Sequence, residues 1–529
     1  MKKDWTAIID GRSMDNDEII ESIIESRSIE NLNEFLNPSI DNLIPYETLK
    51  NINQAWYKLD RAISNEESIL IYADVDTDGC TSGAIMYRYL KHFTKHLRIT
   101  INDGKEHGIK HFDFTVRPDL VIIVDSIDKA DVYHRLTEKG IEVIVLDHHI
   151  LPSPVEEYSN IALVSSANDY ANPQLSGAGV TWKFCKYCDE MWLTDYANSL
   201  IDLAATGIIA DMCDIFVPEN RYICYTGLTN LCNTGIKNIV GSYEFNSQSV
   251  SFSIAPLINA CNRMFRNDLA MNIFLEDDIE KVKDMIKDMK FVKEQQDEYI
   301  NKLMPSFIEQ AENQINNKVM FFIINTEYGI SGLVANKLMS IYQRPVFVVK
   351  DKEDTYMGSM RACGVDDFMT MVNETGLAKC DGHELASGFF CDKDNYNKFK
   401  KVINKKLEDI KFEEKVIADI QLDTTQINTQ LINNFKSIDF LSGTGSKPLT
   451  VMITNINDYK YDTMSKGKHL KLITDNGLII QWNTSTTEND FINNDKSVNS
   501  VNIIAALNSS RFGKTFWNQM IIQELRIDK

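Results

Sequence analysis

Three short apolar runs each deliver aspartates at their C-terminal end. SILIYA (68–73) leads into Asp74-Val75-Asp76-Thr77-Asp78-Gly79, DLVIIV (119–124) into Asp125, and EVIVLD (142–147) into Asp147-His148-His149. A fourth run, DLAATGIIADMCD (202–214), places Asp211 after an apolar stretch. So many carboxylates cannot sit together ionised without strong cations. Carboxylate oxygens with one or two imidazoles suit Mn²⁺ or Mg²⁺ better than a thiolate-rich zinc site. Two such ions side by side would clamp the attacking and leaving oxygens of a phosphoryl displacement. Singly, each feature is bland. An aspartate after a strand is usually a cap or turn residue. DVDTDG alone is a truncated calcium loop without its twelfth-position glutamate. The four features together, in order and on expected strand ends, point to a metal site.

The elements that must position these residues follow from periodicity. The three runs are β-branched and short, with helical stretches between them at 82–96 and 128–139, as in βαβ units of a parallel sheet buried on both faces. Ligands of such sheets bind outside the carboxyl ends of the strands, so the aspartates and histidines should share one crevice. The expected fold is α/β, in five parts: an N-terminal helical lead-in (1–50), a parallel-sheet domain (51–275), a long, largely exposed connecting helix (276–316), a second α/β domain (317–411) and a strand-rich C-terminal β-barrel (412–529). The second α/β unit is carried by KVMFFIIN and RPVFVVK around SGLVANKLMSIY.

Composition sets limits. The 529 residues carry 55 basic and 76 acidic side chains, a net charge of −21, which argues against generic charge-driven binding to nucleic acid and requires any such binding to be focused. Ten scattered cysteines exclude a disulfide framework, and Cys185-x-x-Cys188 lies in a helix-like stretch that reads as core. No long uncharged apolar run predicts a membrane span, and Asp4 and Asp10 interrupt the N-terminus before any signal sequence forms. A cytoplasmic location is expected.

The order DxDxDG, Asp after a strand, DHH and G-x-x-AD resembles the DHH phosphoesterase superfamily and, within it, the RecJ family of 5′→3′ single-strand DNA exonucleases. Further similarities are FLNPSIDNLIPY (35–46), LSGAGVTWKF (175–184), IAPLINACNRM (254–264), DGHELASG (381–388) and SRFGKTFW (510–517). The resemblance implies a DHH domain, a DHHA1 domain and a terminal OB-fold. It also implies hydrolysis of single-stranded DNA with two Mn²⁺ or Mg²⁺ ions, in recombination, repair or replication.

Carried over residue by residue, Asp76 with Asp74 would hold one ion, and Asp78 with His148 the other. Asp125 and Asp211 would bridge, and His149 would contact the scissile phosphate or orient a ligand. Asn259, Arg263, Ser359 and Arg361, with Gly382, His383 and Gly388 as a glycine-bounded turn, would reach phosphates. In the barrel, Lys466, Lys468, His469, Lys471, Arg511 and Lys514 interleave with Trp482, Phe512, Phe516 and Trp517, a composition that suits a single-strand groove. A monomer fits the resemblance, and a single-strand-binding protein or a helicase remains an open partner. Departures are Asp381 in place of a glycine, Ser126-Ile127 after Asp125, and the loosely matching 102–110. Two other functions stay open: a phosphodiesterase for short oligonucleotides or cyclic dinucleotides, and an inactive nucleic-acid-binding scaffold.

Overall fold

The computed structural model describes residues 4–101, 109, 117–412, 415–443, 446–457, 459–464, 469–474, 479–483, 500–512 and 515–528. The three runs that end in aspartates are strands of one five-stranded parallel sheet. Its spatial order is Leu97–Ile101, Ile69–Ala73, Leu120–Val124, Glu142–Asp147, Ala162–Ser165. Alternate residues of a strand serve opposite faces. Ile122 and Val124 enter the large core under the helices, whereas Val121 and Ile123 join Tyr133 and Leu136 on the other side. Both faces are therefore dry, and the strands read as unbroken apolar runs.

Two strands escaped the periodicity argument. Leu97–Ile101 is only half buried and carries Arg98 and Thr100, and Ala162–Ser165 has four residues. Both are edge strands, where one side of the pairing is missing and the apolar signal is weak. The helix expected over 82–96 starts earlier and ends earlier, at Thr77–Leu90.

The order places the first strand between the second and the third. Chain connections leave the Ile69–Ala73 strand in one direction and the Leu120–Val124 strand in the other, so the crevice opens at their carboxyl ends. The run before Asp211, expected as a fourth strand, is instead the helix Ile201–Ala210. A short apolar stretch of Ala, Gly and Ile looks the same to hydropathy in either form. As a helix it packs against Thr77–Leu90 and Gly177–Trp192 on one face of the sheet. Cys185 and Cys188 are buried inside the latter.

The connecting helix, Ile279–Glu312, has 34 residues and would be about 51 Å long if regular. It is less exposed than its charge suggests. Val282, Ile286, Met289 and Val292 lie in the core of the first domain, while Ile300, Phe307 and Ala311 lie in the core of the second. One helix thus serves two cores and spaces them. The second domain is a five-stranded mixed sheet, in the order Lys379–His383, Ala386–Asp392, Thr355–Arg361, Val346–Asp351, Met320–Ile323. Its Gly382, His383 and Gly388 lie on the two strands that bound a short turn. Gly382 pairs with Ser387 and Asp381 with Gly388 in a tight hairpin, turned by Glu384-Leu385.

The terminal sheet has eight strands and is consistent with an OB-like fold carrying extra strands. The first of these is Asp4–Asp10, paired parallel with Lys415–Gln421. Residues 1–50 were expected to be a helical lead-in, yet their first described element is this strand. Ile19, Ile23 and Phe35 are buried with Leu431, Ile432 and Phe435 of the terminal domain. No local pattern announces a partner strand so distant in sequence. The expected basic and aromatic groove of this domain falls on side chains outside the described residues. Among the described residues no helix is long and apolar enough to cross a membrane.

Phe35 ties this unit to the first domain. Its ring lies 3.2 Å beneath the Arg221 guanidinium carbon and 5.5 Å from the Phe216 ring, and its carbonyl accepts from Arg221 Nε. Phe35→Ala is expected to destabilise the fold by about 3 kcal/mol, read as an earlier first transition in thermal unfolding.

Candidate metal centre

The motif Asp74 to Gly79 bends from strand into helix. Asp76 caps that helix, its Oδ1 accepting from Gly79 N at 2.9 Å. Asp78 enters the first helical turn and points at the start of Gly177–Trp192. There Ser176 Oγ (2.9 Å) and Ala178 N (3.1 Å) donate to its Oδ1, and Gly177 N (2.7 Å) donates to Oδ2. The carboxylate therefore sits on the positive end of a helix. Ser176 and the two glycines after it carry a signal that was available in the sequence, a helix start with residues too small to block an approach.

Glycines make the crowding possible. A Cβ on Gly79 would stand 2.5 Å from Asp74 O, one on Gly177 2.4 Å from Asp125 Oδ1, and one on Gly207 2.2 Å from Asp78 Oδ1. Each is a place where a helix is pressed against an acidic residue. Gly207 is the glycine of the G-x-x-AD run, and its role is to let Ile201–Ala210 close on Asp78. The helix then delivers Asp211 at its C-cap.

Three groups of ligand atoms each lie within 4.8 Å of one another: Asp74, Asp76 and Asp125; Asp78, His148 and Asp211; and Asp125, His148 and His149. His148 Nε2 stands 3.3 Å from Asp125 Oδ1, 3.8 Å from Asp211 Oδ2 and 4.0 Å from Asp78 Oδ2. Asp125 links the groups. It leaves its strand at φ +55°, is buried, and its Oδ1 accepts no hydrogen bond. A buried carboxylate oxygen without a donor is costly unless a cation meets it.

Proton affinities express the same crowding. Burial, then the charges of Asp78, Asp76, Asp74 and Asp147, drive Asp125 well above the usual carboxylate range. Asp76 opens to the cleft yet is walled in by protein, and that burial with Asp74, Asp78 and Asp211 pushes it up to about 7. Asp211 is likewise pushed up to about 7, by burial and by Asp78, while Cys213 Sγ donates to it at 3.4 Å. Carboxylate oxygens with one or two imidazole nitrogens, the carboxylates mutually repelling and partly unsatisfied, fit Mn²⁺ or Mg²⁺.

Asp147 was not among the expected site residues. It is fully buried and holds His149, accepting from His149 N at 3.0 Å and pairing with Nδ1 at 2.9 Å. Burial works against charge at both residues, but the pairing wins: it raises His149 to about 10 and lowers Asp147. A carboxylate that fixes one imidazole nitrogen aims the other. His148 is lowered by burial and by its neighbour His149.

Facing the acids is a cationic wall. Arg263 ends the helix Ala255–Arg263, and burial and nearby Arg361 lower it to about 10, with Asp76 opposing. Arg361 lies beside the start of Ser331–Tyr342, where a Cβ on Gly332 would stand 2.9 Å from its Nη2, and Ser359 Oγ meets Ser331 Oγ at 2.9 Å. Gly329 N donates to Arg263 O at 3.1 Å, which joins the two domains at this wall. Asn259 does not stand free: it accepts from Thr77 Oγ1 at 3.3 Å and so braces the first acidic motif. Gly382 (φ +131°) and His383 lie on an exposed edge strand.

The two helices that end at Asp211 and Arg263 close alike. Met212 (φ +62°) follows Asp211, and Phe265 (φ +60°) lies two residues after Arg263. The bonds Cys213 N→Ile208 O and Arg266 N→Cys261 O close both turns in the manner that normally takes glycine. A bulky side chain there costs about 1 kcal/mol or more. The sequence shows a Met and a Phe, and nothing local shows that their backbone is left-handed.

Raised carboxylates fix the sign of a pH effect. Asp76 binds protons more tightly folded than unfolded, so its contribution to stability is full below about pH 4 and is lost as pH rises through about 7. Asp76→Asn keeps a capping oxygen and removes the repulsion. In EDTA it should melt above wild type at pH 8 but not below pH 4, and Mn²⁺ should reverse the order at pH 8. Thermal midpoints in the four conditions check this.

Relatives share this arrangement of elements. The family model "DHH family, N-terminal domain" matches residues 68–208. The "Putative SPbeta prophage-derived single-strand DNA-specific exonuclease YorK" of Bacillus subtilis is 30% identical over 451 residues, 78% of either chain. "Single-stranded-DNA-specific exonuclease RecJ" of Haemophilus influenzae is 23% identical over 474 residues, 81% of this chain and 82% of its own. The crystal structure of RecJ with Mn²⁺ from Thermus thermophilus matches the fold with a TM-score of 0.78 at 20% identity, over 99% of this chain and 80% of that one. The chain therefore belongs to the RecJ-like family of DHH-domain single-strand-specific exonucleases.

Proposed function

We propose that the protein is a cytoplasmic, metal-dependent exonuclease that degrades single-stranded DNA from its 5′ end to 5′-mononucleotides. One observation carries the reading: carboxylates and an imidazole meet at the sheet's switch point, with Arg263 near enough to feel the charge of Asp76 and Arg361 beside it. An anion bridged between metal ions and arginines matches a phosphodiester better than it matches a neutral substrate.

In this reading Asp74, Asp76 and Asp125 would hold one ion and Asp78, His148 and Asp211 the other. When bound, the two ions supply the positive charge that activates the attacking water and stabilises the leaving oxygen. The chain's own residues do the rest. Asp147 holds the His149 ring through Nδ1 so that its other nitrogen is aimed at the scissile phosphate. Arg263, Arg361 and Ser359 take the phosphates of the strand, fixing its register against the acids. Asn259 keeps the Asp76 turn in place through Thr77. Gly382 and His383, on the exposed edge, contact the strand further along. The cleft between the first and second domains threads one strand, and the connecting helix sets its width.

The test is product analysis on an internally labelled, 5′-phosphorylated oligonucleotide, single-stranded and duplex, with Mn²⁺ or EDTA. Mononucleotides released from the 5′ end of the single strand alone, and lost with EDTA or in Asp125→Ala, are expected. An intact strand in every condition would sink the reading, and the next substrates would be dinucleotides and cyclic dinucleotides. Two graded variants refine it. Arg361→Ala removes a charge-assisted contact and should raise KM roughly 10- to 100-fold with little change in kcat. Asp147→Asn should weaken Mn²⁺ binding or activity roughly 10- to 100-fold, without the complete loss expected for Asp125→Ala.

A further inference from the structure

We propose that Phe265 is a base-stacking platform that fixes one nucleotide of the bound strand relative to the metal centre; this deepens the nuclease reading and rests on it. Phe265 occupies the left-handed position of a helix-ending turn, where glycine is the usual residue. Burial does not compensate for that conformation, since the residue is 54% exposed. A large aromatic ring in a strained backbone, left in water, points to a ligand that covers it.

Its surroundings favour a nucleobase. Arg263 lies two residues earlier and faces Arg361 and Asp76, so a strand whose phosphates rest on the arginines passes beside the ring. The ring is also held from behind. Tyr328 of the second domain lies 5.9 Å away at 38°, and Tyr299 of the connecting helix stands edge-on to Tyr328 at 5.3 Å. Thr326 Oγ1 holds both tyrosines, accepting from Tyr328 N and from Tyr299 Oη, each at 3.2 Å. This aromatic row spans all three elements that frame the cleft. Stacking is sequence-tolerant because every base has a π-face, and it adds affinity without adding positive charge. That suits a chain of net charge −21, which cannot hold DNA by a general electrostatic field.

The test uses 5′-phosphorylated single strands carrying one abasic residue at each of the first few positions. Wild type should lose kcat/KM roughly 5- to 150-fold at one position, through KM. In Phe265→Gly the turn is relieved, so the thermal midpoint should not fall, and the loss at that position should vanish. Phe265→Tyr should restore it. Leu193→Gly relieves another left-handed residue at the far end of the Gly177–Trp192 helix, about 24 Å from Asp78, and should leave the discrimination intact. Phe265→Gly slowing intact and abasic strands by the same factor at every position would overturn the proposal. Binding of phosphorothioate versions, followed by anisotropy, separates the two readings. Position-specific affinity loss without cleavage would support the platform and refute the nuclease. Cleavage or binding without any base discrimination would overturn the platform alone.

Discussion

Repulsion among carboxylates at one end of a parallel sheet is the constraint on which this molecule turns. Asp74, Asp76, Asp78, Asp125 and Asp211 come from three segments of the chain, and each raises the cost of charge on another. Nothing in folding alone rewards that arrangement. It persists because the surrounding structure leaves the acids no room to separate. Gly79, Gly177 and Gly207 let three helices close to distances that a single methyl group would forbid. Protein packing supplies the work of assembly, and cations return it on binding. A site of this kind is pre-organised in its ligands and short of charge until the ions arrive.

The rest of the architecture makes use of that assembled point. The connecting helix belongs to two cores, so the second domain cannot drift from the first without exposing apolar surface on one side or the other. Arg361 is thereby held beside Arg263, which in turn feels the charge of Asp76, and Gly329 N fastens the same corner to Arg263 O. The buried contact of Arg221 with Phe35 performs a similar task for the terminal sheet, whose first strand comes from the chain's own N-terminal segment. The three sheets are separate in hydrogen bonding but not in packing.

Much of this was legible in the sequence, and the exceptions share a cause. The three aspartate-ending strands were visible because strands buried on both faces write long apolar runs. Edge strands do not, which hid Leu97–Ile101 and Ala162–Ser165. Asp211 could be placed after an apolar stretch, but hydropathy could not say that the stretch was a helix. The pairing of Asp4–Asp10 with Lys415–Gln421 is a non-local contact between segments that carry no mutual signature. Asp147 was in plain view beside His148 and His149. Its role emerged only when burial showed that it faces inward, toward one histidine, and not into the crevice. Backbone sign was the least legible feature of all, since Met212 and Phe265 look like ordinary apolar residues.

The acidity of the chain then ceases to be an objection to an anionic substrate and becomes a specification. With a net charge of −21 the protein repels phosphate at a distance, so long-range steering cannot hold a strand. Attraction must be local, and the described residues offer it in two chemical forms: arginines desolvated enough to strengthen each hydrogen bond they make, and metal-ready carboxylates that turn attractive only once ions are bound. Away from such local sites the net charge gives a strand no general attraction. Confining affinity to the place where the bond is broken gives selectivity that a basic surface would lose, because a basic surface would also hold duplex and RNA along their length.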